Sequence, residues 1–231
     1  MRTTSTNKTT WSATDGSNAA RFATRRKIMK NCRPELLLAC LPLLLIVPAH
    51  GAEDVETAQL ATRVCANCHG PRGASVSSAF PNLAGQQAAY IEAQLKSFKD
   101  KTRGDPYAQA YMWGMASQLD DETIKRLAAY YAAQKPSPAR KADAATMATG
   151  KQIFEHGLPE AEVPACNLCH GENAHGKDAI PRLAGQHPEY LVKQLVAFKS
   201  LQRANNPVMH SVTNKMSLEQ IQAVAGYAAA K

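Results

Sequence analysis

Cys65-Ala66-Asn67-Cys68-His69 and Cys166-Asn167-Leu168-Cys169-His170 repeat one pentapeptide pattern, and no other feature constrains the fold of this chain so strongly. Two cysteines three apart lie on one side of a single helical turn, and a histidine directly after the second is carried to the same side. C-x-x-C-H is the pattern of covalent porphyrin attachment, with the thiols bonding the macrocycle and the imidazole reaching its iron. A thioredoxin-type redox pair has no need of the histidine, and a zinc ribbon brings its second cysteine pair within about 15 to 20 residues. Here 97 residues separate Cys68 from Cys166. The expected cofactors are two covalently bound haem c groups, on Cys65 and Cys68 and on Cys166 and Cys169, with His69 and His170 as iron ligands.

The motifs sit inside a larger duplication. Pro81-Asn82-Leu83-Ala84-Gly85-Gln86 returns as Pro181-Arg182-Leu183-Ala184-Gly185-Gln186, and Tyr90, Gln94, Leu95, Phe98, Lys99 and Arg103 return one hundred positions later as Tyr190, Gln194, Leu195, Phe198, Lys199 and Arg203. Such a period is a whole domain rather than a solenoid repeat. Ile91, Leu95 and Phe98, like Leu191, Leu195 and Phe198, fall at i, i+4 and i+7, which predicts an amphipathic helix after each PxLAGQ segment. Asp120 and Ser217 are good N-caps for closing helices, with Ser217 and Gln220 spaced as a capping box. Ile124, Leu127 and Tyr131 supply the buried stripe of the first, and Ile221, Val224, Ala225 and Ala228 that of the second. Nothing alternates as a strand would, so the fold class is all-α. Residues 53–134 and 142–231 are the two domains, joined by the proline-containing and semi-rigid linker 135–141. Each copy is small for independent folding, and a buried cofactor would complete its core.

Residues 1–52 read as a leader. Arg25, Arg26, Lys27 and Lys30 precede an apolar run from Leu36 to Val47 and then the small residues Ala49, Gly51 and Ala52, the pattern of an export signal cleaved near Gly51 to Ala52. The run is broken by Pro42 and is shorter than the roughly 20 residues that a membrane span needs. Residues 1–28 are longer and more polar than a leader requires, so Met29 is an alternative start. Thr24-Arg25-Arg26-Lys27 resembles a twin-arginine signal, but that route exports folded cargo, whereas haem c is attached after export. Leu37-Leu38-Ala39-Cys40 resembles a lipoprotein box and is disfavoured by the apolar residues that follow it. Eight of the 27 Lys and Arg and two of the 19 Asp and Glu lie at or before Ala52, so 19 basic and 17 acidic residues remain and the net charge falls from +8 to +2. Nucleic-acid binding is not implied. Cys32 and Cys40 leave with the leader, so no spare thiol remains, which suits an oxidising compartment.

Whether each iron takes a second axial ligand separates a carrier from an enzyme. The candidates are Met112 and Met115 in the first copy and Met209, His210 and Met216 in the second. Met112 stands seven residues before Leu119-Asp120, as Met209 does before Met216-Ser217. In that register Met115 faces Val212 and Met216 faces Leu119, which makes Met115 and Met216 core fillers. His210 is replaced in the first copy by Trp113, which cannot ligate. Met112 and Met209 are therefore the expected sixth ligands. His156, His175 and His187 are expected to be ordinary surface residues.

With these features together, the chain resembles the dihaem cytochromes c of the c4 family, two class I cytochrome c domains in tandem, each wrapped around a covalently bound haem c. The resemblance covers nearly all of residues 53–231 and includes the Gly157-to-Pro164 approach to the second motif. It implies a periplasmic carrier, in some members membrane-associated, passing single electrons from a quinol-oxidising complex to a haem-copper terminal oxidase, with no small-molecule substrate. It also implies that the carbonyls of Pro81 and Pro181 accept a hydrogen bond from the proximal histidines. Asn82 against Arg182, Trp113 against His210 and Gln87 against His187 make the two surroundings unequal, and unequal reduction potentials are expected, with Arg182 favouring the ferrous state of a nearby iron. The alternatives are a dihaem subunit of a periplasmic dehydrogenase complex and a dihaem peroxidase. The peroxidase needs an open sixth position that the matched methionines would close.

Overall fold

A computed structural model describes residues 50–231. The leader, the alternative start at Met29 and the lipoprotein-like box fall outside these residues, apart from the expected cleavage position, which lies in the first turn of a helix starting at His50. In chain order the α-helices are α1 His50–Leu60, α2 Ala66–His69, α3 Ala88–Lys99, α4 Trp113–Ser117, α5 Asp121–Ala132, α6 Ala144–His156, α7 Asn167–His170, α8 Pro188–Lys199, α9 Pro207–Thr213 and α10 Leu218–Ala229. Among the described residues there is no strand, only isolated bridges between Leu158 and Val163 and between Lys177 and Ile180.

The second five helices repeat the first five. The α5 helix packs on α1 and α3, and α10 packs on α6 and α8, so each half closes by crossing its last helix over its first. The expected stripes point inward: Ile124, Leu127 and Tyr131 are buried on α5, and Ile221, Val224, Ala225 and Ala228 on α10. The caps hold these helices in place. Asp120 accepts from the Thr123 backbone N–H, and Ser217 and Gln220 form the reciprocal capping box. The second crossing is closer than any side chain larger than hydrogen would permit, since a Cβ on Gly150 would lie 2.2 Å from the Ala223 carbonyl oxygen.

The linker is seated rather than loose. Gly85 and Gly185 both adopt positive φ, at 67° and 74°. Their bare faces receive the linker, where a Cβ would meet Pro136 at 2.3 Å on one side and the Ser137 carbonyl oxygen at 2.2 Å on the other. The backbone N–H of Gly85 donates to the Tyr131 carbonyl and that of Gly185 to the Ala229 carbonyl, which ties each turn to the end of its closing helix.

Two expectations are corrected. Met115 is not a core filler: it is 54 % exposed, because Ala116, fully buried, takes the inward position of α4 and the preceding residue is turned about 100° away from it. Met216, only 2 % exposed, is the core residue expected. His187 is not a surface residue either. It is buried, and its Nε2 lies 3.0 Å from the Ser75 carbonyl oxygen of the other half.

Candidate functional site

The last four residues of each motif form one short helix, α2 or α7, which starts after the N-cap Cys65 or Cys166 and ends at its histidine on a glycine, Gly70 or Gly171, of positive φ. The helical period brings positions i, i+3 and i+4, the two thiols and the imidazole, toward one broad face, while the glycine lets the chain leave at once. None of the four cysteines is in a disulfide; Cys65 and Cys166 are partly buried and Cys68 and Cys169 exposed. Burial raises the Cys65 thiol above its ordinary value and pushes Cys166 up to about 11, so both are protonated at neutral pH.

Both histidines are anchored in the same way. His69 Nδ1 lies 3.0 Å from the Pro81 carbonyl oxygen, and His170 Nδ1 lies 3.1 Å from that of Pro181. A carbonyl only accepts, so Nδ1 carries the proton and Nε2 is left as the nitrogen with a free lone pair. Burial lowers both imidazoles, against the opposing pull of the proline carbonyl, which keeps them neutral. A neutral imidazole fixed in one tautomer is the form that binds a metal.

The methionines stand on other elements. Met112 closes a π-helical turn, Ala108–Met112, just before α4 and is half-buried with Phe98, Ala108, Ala116 and Trp113. Met209 is half-buried in α9, where its N–H donates to the Asn206 side chain and its carbonyl accepts from Thr213. In the first half the cysteine-bearing and methionine-bearing walls are separate apolar clusters, one with Cys65, Leu83, Ile91 and Tyr131 and the other around Met112, and both include Leu95. Cysteines outside any disulfide, tautomer-fixed imidazoles and apolar walls are the features that covalent haem requires, so the residues present fit the group. His210 is engaged elsewhere, its Nδ1 lying 2.8 Å from the Phe198 carbonyl oxygen.

The sequence did not reveal what holds the two sites together. Gln86 reaches across to donate to the Arg182 carbonyl and accept from the Arg182 N–H, at 2.9 and 2.7 Å. Gln186 does the same to Asn82, at 2.9 and 2.8 Å. Phe80 was also missed; it lies edge-on to His69 and to Tyr111 and so connects the histidine side to the residue before Met112. The repeat displayed both glutamines as matched residues, but no spacing rule pairs residues about one hundred apart. Arg182 is partly buried and donates from Nε to the Ala184 carbonyl at 3.2 Å.

The cytochrome c family model matches residues 55–134. A cytochrome c4 of Azotobacter vinelandii is 36 % identical over 189 residues, which is 78 % of this chain and 90 % of that protein. A thiosulfate dehydrogenase electron acceptor of Thiomonas intermedia is 37 % identical over 173 residues, 72 % of this chain and 78 % of that protein. Among solved structures, Acidithiobacillus ferrooxidans cytochrome c4 superposes with a TM-score of 0.69 at 38 % identity, covering 72 % of this chain and 98 % of that one.

Proposed function

The chain belongs to the cytochrome c4 family, dihaem electron-transfer proteins built from tandem cytochrome c domains, and we propose that it is a periplasmic shuttle for single electrons. The observation that supports this best is the matched anchoring of His69 by Pro81 and His170 by Pro181, which prepares two sites for one kind of chemistry. Residues 1–52 are the export leader, residues 53–134 and 142–231 the two domains, and 135–141 the linker. Cys65 and Cys68, and Cys166 and Cys169, hold one haem c each by thioether bonds. His69 and Met112 would bind the first iron, and His170 and Met209 the second.

Bound in this way, each haem supplies a one-electron ferric–ferrous couple, set higher by methionine sulfur than it would be by a second imidazole. The work of the chain is to hold that couple still. The Pro81 and Pro181 carbonyls fix the imidazole tautomer and strengthen its donation, and Met112 and Met209 would keep small ligands from the iron. Among the described residues no helix is long and apolar enough to cross a membrane. The donor is a quinol-oxidising complex and the acceptor a haem-copper terminal oxidase. A dehydrogenase as donor is the second reading, favoured by the relative named for accepting electrons from thiosulfate dehydrogenase. Co-purification with a dehydrogenase at fixed stoichiometry would decide for it.

A pyridine haemochrome assay with intact mass should give two haems per chain and a mature start near Ala52. The ferric protein should show the weak near-infrared sulfur-to-iron band, and Met112→Ala and Met209→Ala should each remove about half of it. A colourless chain, or a reduced form that takes up carbon monoxide stoichiometrically, would overturn the assignment.

A further inference from the structure

A buried polar cluster lies between the two halves, and the duplication builds almost all of it twice. Arg103 and Arg203 are both 4 % exposed. Arg103 Nη2 crosses to Gln194 Oε1 at 2.6 Å and to the Tyr190 hydroxyl at 3.3 Å. Arg203 Nη2 makes the reverse crossing, to Gln94 Oε1 at 2.8 Å and the Tyr90 hydroxyl at 3.0 Å. The Nη1 groups return to Gln94 and Gln194 of their own halves. Each guanidinium also stacks on a ring of its own half, Arg103 on Phe98 at 4.7 Å and Arg203 on Phe198 at 4.3 Å.

One pair breaks the symmetry. Arg103 Nε donates to Asp105 Oδ2 at 2.8 Å, and that carboxylate is 2 % exposed. The corresponding residue in the second half is Asn205. There both Arg203 Nε and Asn205 Oδ1 are buried with no hydrogen-bond partner among the described residues. The cluster thus holds two guanidiniums, always charged, and a single carboxylate.

We propose that Asp105 is the residue that sets the two redox sites apart, holding the first at the lower potential and leaving the second beside an uncompensated buried arginine. This rests on the reading of the chain as a dihaem carrier. The argument needs only the symmetry of the cluster. Every other member has a twin in the other half, so the fields of the paired groups at the two sites balance and the Asp105 charge is left over. Its influence falls more on its own half: Arg103 stacks on Phe98, which packs with Met112, and Trp113 donates from Nε1 to the Arg103 carbonyl at 2.8 Å. Away from water such a charge is little screened, and a nearby anion favours the ferric state. Burial lowers the Arg203 guanidinium and the charge of Arg103 lowers it further. Arg103 is raised in spite of its burial by Tyr190, Tyr90 and Asp105.

The test is a pair of near-isosteric substitutions in the two-haem protein, with each potential followed by redox titration. Asp105→Asn should raise the first potential and Asn205→Asp should lower the second. Each narrows the gap, changing the constant for sharing one electron between the sites by roughly three- to tenfold, which is about 28 to 59 mV for a one-electron couple. Asn205→Asp should also raise the urea midpoint, because Arg203 Nε gains an acceptor. Two variants that keep both haems and the sulfur-to-iron band but leave the gap unchanged would overturn the proposal. Absence of the haems or of the band from the parent protein would instead remove the carrier reading, which these substitutions do not touch.

Discussion

At the scale of single residues, the two glutamines that follow the Gly85 and Gly185 turns carry more of the structure than their polarity suggests. Gln86 and Gln186 are 7 % and 5 % exposed, and each satisfies both the N–H and the carbonyl of a residue in the opposite half. Each side-chain oxygen also accepts from the next backbone N–H, that of Gln87 or His187, so truncation removes three hydrogen bonds and strands three backbone groups. Gln186→Ala should cost about 2 to 4 kcal/mol of unfolding free energy, measured from urea midpoints. Gln86→Ala should cost less, because Asn82 is buried whereas Arg182 is only partly so and water can reach its backbone. Equal and negligible losses would mean that solvent replaces both side chains. The cysteines and histidines of the two C-x-x-C-H motifs were legible at this scale because that chemistry fixes a short spacing. Gln86 and Gln186 were visible only as repeated letters, since their partners are separated from them by the length of a domain.

At the scale of elements, local rules did most of the work. The α3, α8, α5 and α10 helices were readable from apolar periodicity and from the caps at Asp120 and Ser217, since both signals act within a turn or two. Ser217 Oγ accepts from the Gln220 N–H at 3.2 Å, and Gln220 Oε1 accepts from the Ser217 N–H at 2.8 Å. Ser217→Ala should lower stability by about 1 kcal/mol, read as a fall in the thermal midpoint, and Ser217→Asp should restore most of it. The misplacement of Met115 belongs to this scale as well. Its α4 helix has only five residues and follows a π-helical turn, Ala108–Met112, and sequence spacing does not announce such a turn.

At the scale of the molecule, the interface between halves carries a dependence on acidity. His187 lies against the Ser75 carbonyl of the first half. Burial and then the charge of Arg140 lower its imidazole below the ordinary histidine value, with the Ser75 bond and Glu189 acting the other way. The unfolded chain therefore binds that proton more readily. The His187 contribution to stability is complete above the ordinary value of about 6.5 and drains away as pH falls through the lowered one. The urea midpoint should drop on acidification through this window, and His187→Gln should flatten that limb; an unchanged slope would assign it to other groups. Sequence alone determined the class of the fold, the duplication and the attachment chemistry, because helical periodicity and the thiol-to-imidazole spacing are local and carry their geometry with them. Only the tertiary structure decided that the copies face each other through Gln86, Gln186 and the paired arginines, that Pro136 and Ser137 seat on bare glycines, and that Asp105 has no twin. Those facts depend on which surfaces meet, and complementarity between residues one hundred apart leaves no periodic trace in the chain.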